Sequence, residues 1–196
     1  DAGRRVRRNL GGPLMEFSLS DDEKRILLET AREAVASALE RRPPRRSESS
    51  PGLRSPRGAF VTLRSREGVL RGCIGSITGT RPLDETVEEM ARASAFQDPR
   101  FRSVTREEFD GLRFEISVLS PLLRADSPED VVPGTHGIYI RRGCNSGLLL
   151  PQVAVEQGWE REQFLNHGCL KAGLPPETWK MPDTEIFIFT ALVFSE

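Results

Sequence analysis

The 196-residue sequence has few of the side chains that most often signal chemistry: three cysteines, two histidines, two tryptophans and one tyrosine. Cys73, Cys144 and Cys169 are odd in number and far apart, which excludes a disulfide framework and favours a reducing compartment. No cysteine or histidine pair has zinc-finger spacing, so no metal site is expected. No run approaches the roughly 18 apolar residues of a membrane helix. Residues 1–14 (DAGRRVRRNLGGPL) lack the apolar core of a secretory signal. The expected location is therefore the cytoplasm, with no membrane partner. Walker A, dinucleotide Gly-x-Gly-x-x-Gly, Gly-x-Ser-x-Gly and His-Glu-x-x-His patterns are absent, which disfavours phosphoryl transfer, hydride transfer, serine hydrolysis and zinc proteolysis.

Lysine is also scarce. Only Lys24, Lys171 and Lys180 occur, so nearly all the basic residues are arginine, as coding bias in a GC-rich genome would produce. The 28 basic and 29 acidic residues leave a net charge of -1, whereas a dedicated nucleic-acid binder normally carries a basic excess. That balance is uneven along the chain. Residues 1–57 hold 13 basic and 9 acidic residues, and residues 58–196 hold 15 and 20. The length fits one domain or two small lobes, and 37% apolar residues suffice for a packed interior. Residues 1–14 read as an N-terminal extension or expression remnant, with Met15 as a candidate start and residues 15–196 as the domain.

Ser20-Asp-Asp-Glu23 is a capping box, and Leu27, Ala31, Ala34 and Val35 after it share one stripe, predicting a helix over 21–40. Residues 41–57 break every periodicity and read as an exposed basic loop anchored by Leu53. Ala59–Leu63 and Val69–Ile77 flank an Arg-Glu-Gly turn and read as a hairpin. A helix is expected over 84–97, ending before Asp98-Pro99. Strands are expected over 112–119, at Ile138–Ile140 and at 147–150. Pro151 and Gly158 bound one short helix, and residues 160–172 form another, stopped by Gly173. The apolar run 185–194 (EIFIFTALVF) reads as one buried central strand. Strands with irregularly interspersed helices predict an α+β fold, a mixed or antiparallel sheet with flanking helices.

The most unusual segment is Leu70-Arg-Gly-Cys-Ile-Gly75. Two glycines in a strand mark a bulge or a close backbone approach. In an extended strand Arg71 and Cys73 share a face, and a guanidinium beside a thiol favours the nucleophilic thiolate. Cys73 is thus a candidate nucleophile or covalent anchor, and Arg71 a candidate clamp for carboxylate or phosphate. The plain alternative makes Cys73 a small buried hydrophobe between packing glycines. Asp98 and Arg100 lie in Phe96-Gln-Asp-Pro-Arg-Phe101, either a rigid corner or a wall of a ligand site. His136, just before a strand, titrates in the range useful for proton transfer. His167 and Cys169 do not share a helix face. Glu115 and Ser117 share the polar face of their strand, where Glu115 reads as a surface charge rather than a general base.

These segments, in this order, resemble the AMMECR family, whose prokaryotic members are called AmmeMemoRadiSam system protein A. The resemblance runs through Gly58–Leu63, Leu70–Gly75, Ala95–Phe101, Glu115–Ser120, His136–Ile138, Leu149–Ala154, Gly158-Trp159 and Cys169–Leu174, within about residues 20–196. It implies a mixed fold of two unequal subdomains enclosing a cleft. It also implies partnership with a Memo-type protein and a radical S-adenosylmethionine protein, but names neither a reaction nor a cofactor. Arg71, Gly72, Cys73 and Gly75 match the family signature, and Asp98, Arg100 and His136 match further motifs.

Two functional readings follow. In the first, the chain is an enzyme or enzyme component acting on a small anionic ligand. Cys73 and His136 are then catalytic, and Arg71, Gly72, Gly75, Asp98 and Arg100 bind the ligand. In the second, it is a non-catalytic adaptor that docks a partner protein or a nucleotide.

Overall fold

Helix α1 (Asp21–Leu39) starts where the capping box places it. Ser20 Oγ accepts from Glu23 N at 3.2 Å, and Glu23 Oε2 accepts from Ser20 N at 2.9 Å. In the computed structural model, which describes residues 17–45 and 50–196, the chain continues through β1 (Ala59–Arg64), β2 (Leu70–Ser76), α2 (Leu83–Phe96), α3 (Arg106–Phe109) and β3 (Arg113–Leu119). It then forms β4 (Leu123–Arg124), β5 (Gly137–Arg142), β6 (Asn145–Leu149), α4 (Pro151–Gln157), α5 (Arg161–Lys171), β7 (Glu185–Phe189) and β8 (Ala191–Ser195). The expected extension over residues 1–14 and the candidate start at Met15 lie outside the described residues. So do positions 46–49 of the basic loop.

The strands form two antiparallel four-stranded sheets, ordered β2-β1-β3-β8 and β4-β7-β5-β6. They belong to two compact units. The larger comprises Phe17–Pro121 with Ala191–Glu196; the smaller comprises Leu122–Thr190. This is the expected α+β architecture with two unequal parts.

In the larger unit, α1 and α2 bury Leu27, Ala31, Val87 and Ala91 against Val61, Leu63, Phe114 and Ile116 of the central strands. Leu53 of the loop is fully buried in a short 3-10 turn, Pro51–Arg54, and anchors the segment as expected. In the smaller unit, α5 packs Phe164, Leu165 and Cys169 against Ile138, Ile140 and Ile188. Two glycines permit that approach: a Cβ on Gly168 would stand 2.7 Å from Ile138, and one on Gly147 would stand 2.4 Å from the backbone of Ala172. Gly158 adopts φ +65 at the end of α4, the left-handed cap that glycine takes at least cost.

One expectation needs correction. Residues 185–194 are not a single central strand. The chain breaks at Thr190, so that β7 lies inside the second sheet while β8 forms an edge of the first. Only β7 is substantially buried, and Val193 of β8 is 41% exposed. A continuous apolar run carries no mark of where it changes sheets.

Candidate functional site

Strand β2 lies at the edge of the first sheet, and its register slips at the residue of most interest. Gly72 pairs with Leu63 and Leu70 with Arg64, leaving Arg71 as the extra residue of a β-bulge. A bulge re-aims the side chain it carries. The Arg71 guanidinium meets α3, where Nε and Nη2 each donate to the Glu108 carboxylate at 3.1 Å and Nη2 reaches Ser103 O at 3.4 Å. Its third nitrogen, Nη1, is buried and has no hydrogen-bond partner among the described residues.

The glycines serve close packing. A Cβ on Gly72 would stand 2.2 Å from the backbone carbonyl of Ser94 in α2, and one on Gly75 would stand 2.2 Å from the Phe60 ring. The same turn of α2 joins the two strands. Ser94 Oγ accepts from Ile74 N at 2.8 Å and donates to Val61 O at 2.7 Å.

Cys73 is half-buried. Its sulfur accepts from Thr62 Oγ1 at 3.3 Å, across the register pair Thr62↔Cys73. Both of its peptide groups are held by one short segment. Asp98 Oδ2 accepts from Cys73 N at 2.9 Å, and Arg100 Nη2 donates to Cys73 O at 3.3 Å. Arg100 in turn forks onto Asp98 through Nε at 3.0 Å and Nη2 at 2.7 Å. Together they offer the strand edge one acceptor and one donor, as a neighbouring strand would. The Arg100 guanidinium, the Cys73 N–H and the Arg100 N–H hold the Asp98 carboxyl well below the usual carboxylate range, against the opposing effect of burial. Phe101 lies beside both cations, 5.9 Å from Arg71 and 5.4 Å from Arg100, at cation–π distance.

The structure thus gathers Arg71, Gly72, Cys73, Gly75, Asp98 and Arg100 around one strand edge. The Arg71 guanidinium is paired with Glu108. His136 belongs to the smaller unit. Its Nδ1 lies 3.0 Å from Asp130 O and 3.2 Å from Val132 N. The first contact requires a proton on Nδ1 and the second a lone pair, so the tautomer selects between them. Burial pushes the imidazole below its ordinary pKa, which favours the neutral form. His167 stacks on Trp159 with ring centroids 3.8 Å apart, while Cys169 is buried, its thiol pushed up by burial.

Among the described residues no three His, Cys, Asp or Glu side chains gather in a way that could hold a metal ion, and no helix is long and apolar enough to cross a membrane. A cavity of about 470 Å³ opens beside Thr30, Glu33, Arg45, Arg54, Asp84 and Glu88; none of the expected site residues lines it. Sequence reasoning missed Glu108, Thr62 and Ser94. The Thr105-x-x-Glu108 capping box was visible as a pattern, but Glu108's second role depends on a contact 37 residues away.

The AMMECR1 family model matches residues 28–194. A Methanopyrus kandleri protein is 44% identical over 193 residues, covering 93% of this chain and 92% of the relative. A Pyrococcus horikoshii protein is 41% identical over 195 residues, covering 93% and 94%. The crystal structure of an uncharacterized protein from Pyrococcus horikoshii matches with a TM-score of 0.86 at 39% identity, over 92% of this chain and 94% of that one.

Proposed function

The chain belongs to the AMMECR1 family, and from that premise we propose that the bulged β2 edge is a seat for a small anionic ligand, in an enzyme or enzyme component. The observation that carries this is the orphaned Nη1 of Arg71. A buried guanidinium nitrogen without a partner costs free energy, and a ligand oxygen would recover it. Arg71 binds the ligand through Nη1, and Cys73, two residues on, supplies a thiol within the same site. Asp98 and Arg100 position the Cys73 peptide instead of gripping the ligand, since their charges already satisfy each other and the strand edge. Gly72 and Gly75 let α2 and Phe60 close on the strand.

The charges limit the ligand class. Two guanidiniums face two carboxylates, so a carboxylate or another monoanion suits the site better than a polyanion. Ligand-induced thermal stabilisation across a panel of small carboxylates and phosphates tests the reading. A hit should raise the melting temperature of the wild type, and the gain should vanish in Arg71→Met. If every hit stabilises Arg71→Met as well as the wild type, the reading fails. His136 is held by loop backbone in the other unit. The reading takes the Memo-type and radical S-adenosylmethionine proteins implied by the resemblance as partners in the cytosol, and co-purification from native cells tests that partnership.

A further inference from the structure

We infer that Glu108 is an internal occupant of this anion seat, a carboxylate that an incoming ligand must displace from the Arg71 fork; the inference rests on the ligand-seat reading above.

The two ion pairs of the site differ in kind. Asp98 is 2% exposed at its side chain, sits two residues from Arg100, and is pinned further by the Cys73 and Arg100 N–H groups. It is part of the fold. Glu108 is 42% exposed, while its partner Arg71 is only 17% exposed. The cation is therefore the buried, fixed member and the carboxylate the accessible one. Glu108 meets Nε and Nη2 at equal distances of 3.1 Å, the bidentate arrangement that a free carboxylate adopts on arginine.

Its anchorage is slight. Helix α3 is a single turn, Arg106–Phe109, held at its N-terminus by the reciprocal Thr105–Glu108 box. Within that box Glu108 Oε2 also accepts from Thr105 N at 3.0 Å, so the atom that caps the turn is the one that grips Arg71. Displacing the carboxylate from Arg71 leaves the turn its buried anchor, Phe109, and leaves Glu108 free to continue capping. The exchange sets one carboxylate against another on the same guanidinium, with no change in net charge at the buried cation: a ligand that meets Nη1 takes its second bond from Nη2, the nitrogen that Glu108 Oε2 now holds.

A purely structural Glu108 and a displaceable one predict opposite effects of its removal. In the full chain, acetate and inorganic phosphate are titrated as probes while the Arg71 side-chain Nε–H resonance is followed by NMR. The inference predicts that Glu108→Gln binds acetate at least tenfold more tightly than the wild type, with Arg71 as the responding group. Glu108→Asp, which shortens the carboxylate's reach, should fall between them and serves if Glu108→Gln folds poorly. Thr105→Ala, which loosens the turn but keeps the carboxylate, should gain little. Equal or weaker acetate binding in Glu108→Gln, with Arg71 still responding, overturns the inference and leaves the ligand seat standing. No Arg71 response to any probe in any variant overturns both.

Discussion

At the scale of single residues, Gly72 and Gly75 share a sequence signature but face different obstacles. A methyl on Gly72 meets the Ser94 carbonyl, which moves only with α2; one on Gly75 meets Phe60 at Cγ and Cδ1, and the half-buried Phe60 side chain must swing aside as a whole. Gly72→Ala should cost about 3 kcal/mol or more and Gly75→Ala about 1–2 kcal/mol, read from urea unfolding. Asp98 makes a second case. Its folded-state pKa lies below the ordinary 3.8, so its stabilisation is complete above that value and is lost as pH falls through the folded pKa. Wild-type protein should therefore lose more stability between pH 6 and pH 3 than Asp98→Asn. At pH 7 that variant, with a poorer acceptor for Arg100 and Cys73, should already be weaker by about 2 kcal/mol. His136 works with a similar slope near neutrality. Its pKa is depressed by burial, so the unfolded chain binds the proton first and stability falls as pH drops below 6.5. His136→Gln should flatten that segment of the pH–stability curve.

At the scale of elements, the sequence was readable wherever a local pattern coincided with a local structure. Helix α1 carries its cap, its acidic first turn and its apolar stripe within twenty contiguous positions, and it forms from Asp21 to Leu39. Ser20→Ala should remove about 1 kcal/mol, measured as a lower denaturation midpoint with an unchanged m-value. The β1–β2 hairpin was equally legible, since both strands and their turn lie within a few residues. What stayed hidden depends on distant partners. The Arg71 bulge appears only once β2 is aligned against β1, and an extended reading of Leu70–Gly75 therefore could not supply Glu108 as the guanidinium's partner. Strand β4 has two residues and no period to detect. The division of 185–194 at Thr190 is set by which sheet each half joins, and Phe and Ile on one side look no different from Leu, Val and Phe on the other.

At the scale of the molecule, the uneven charge reappears in the structure as paired charges. Arg71 with Glu108, Arg100 with Asp98, and Arg42 with Glu33 each set a cation against a carboxylate, and Glu33 is thereby held down to about 2. The candidate site is built from two such pairs around one thiol. Most of the members were visible as unusual residues in the sequence; their division into a pair with a buried carboxylate and a pair with an accessible one was not, because the fold decides exposure. The most direct test of the account is peptide-resolved alkylation of the three cysteines by iodoacetamide, with and without a saturating anion that stabilises the wild type. Exposed Cys144 and buried Cys169 serve as internal fast and slow references. The account predicts that the anion slows alkylation of Cys73 at least threefold, leaves Cys144 unchanged, and loses this protection in Arg71→Met. Alkylation of Cys73 at the same rate with and without the bound anion would contradict it.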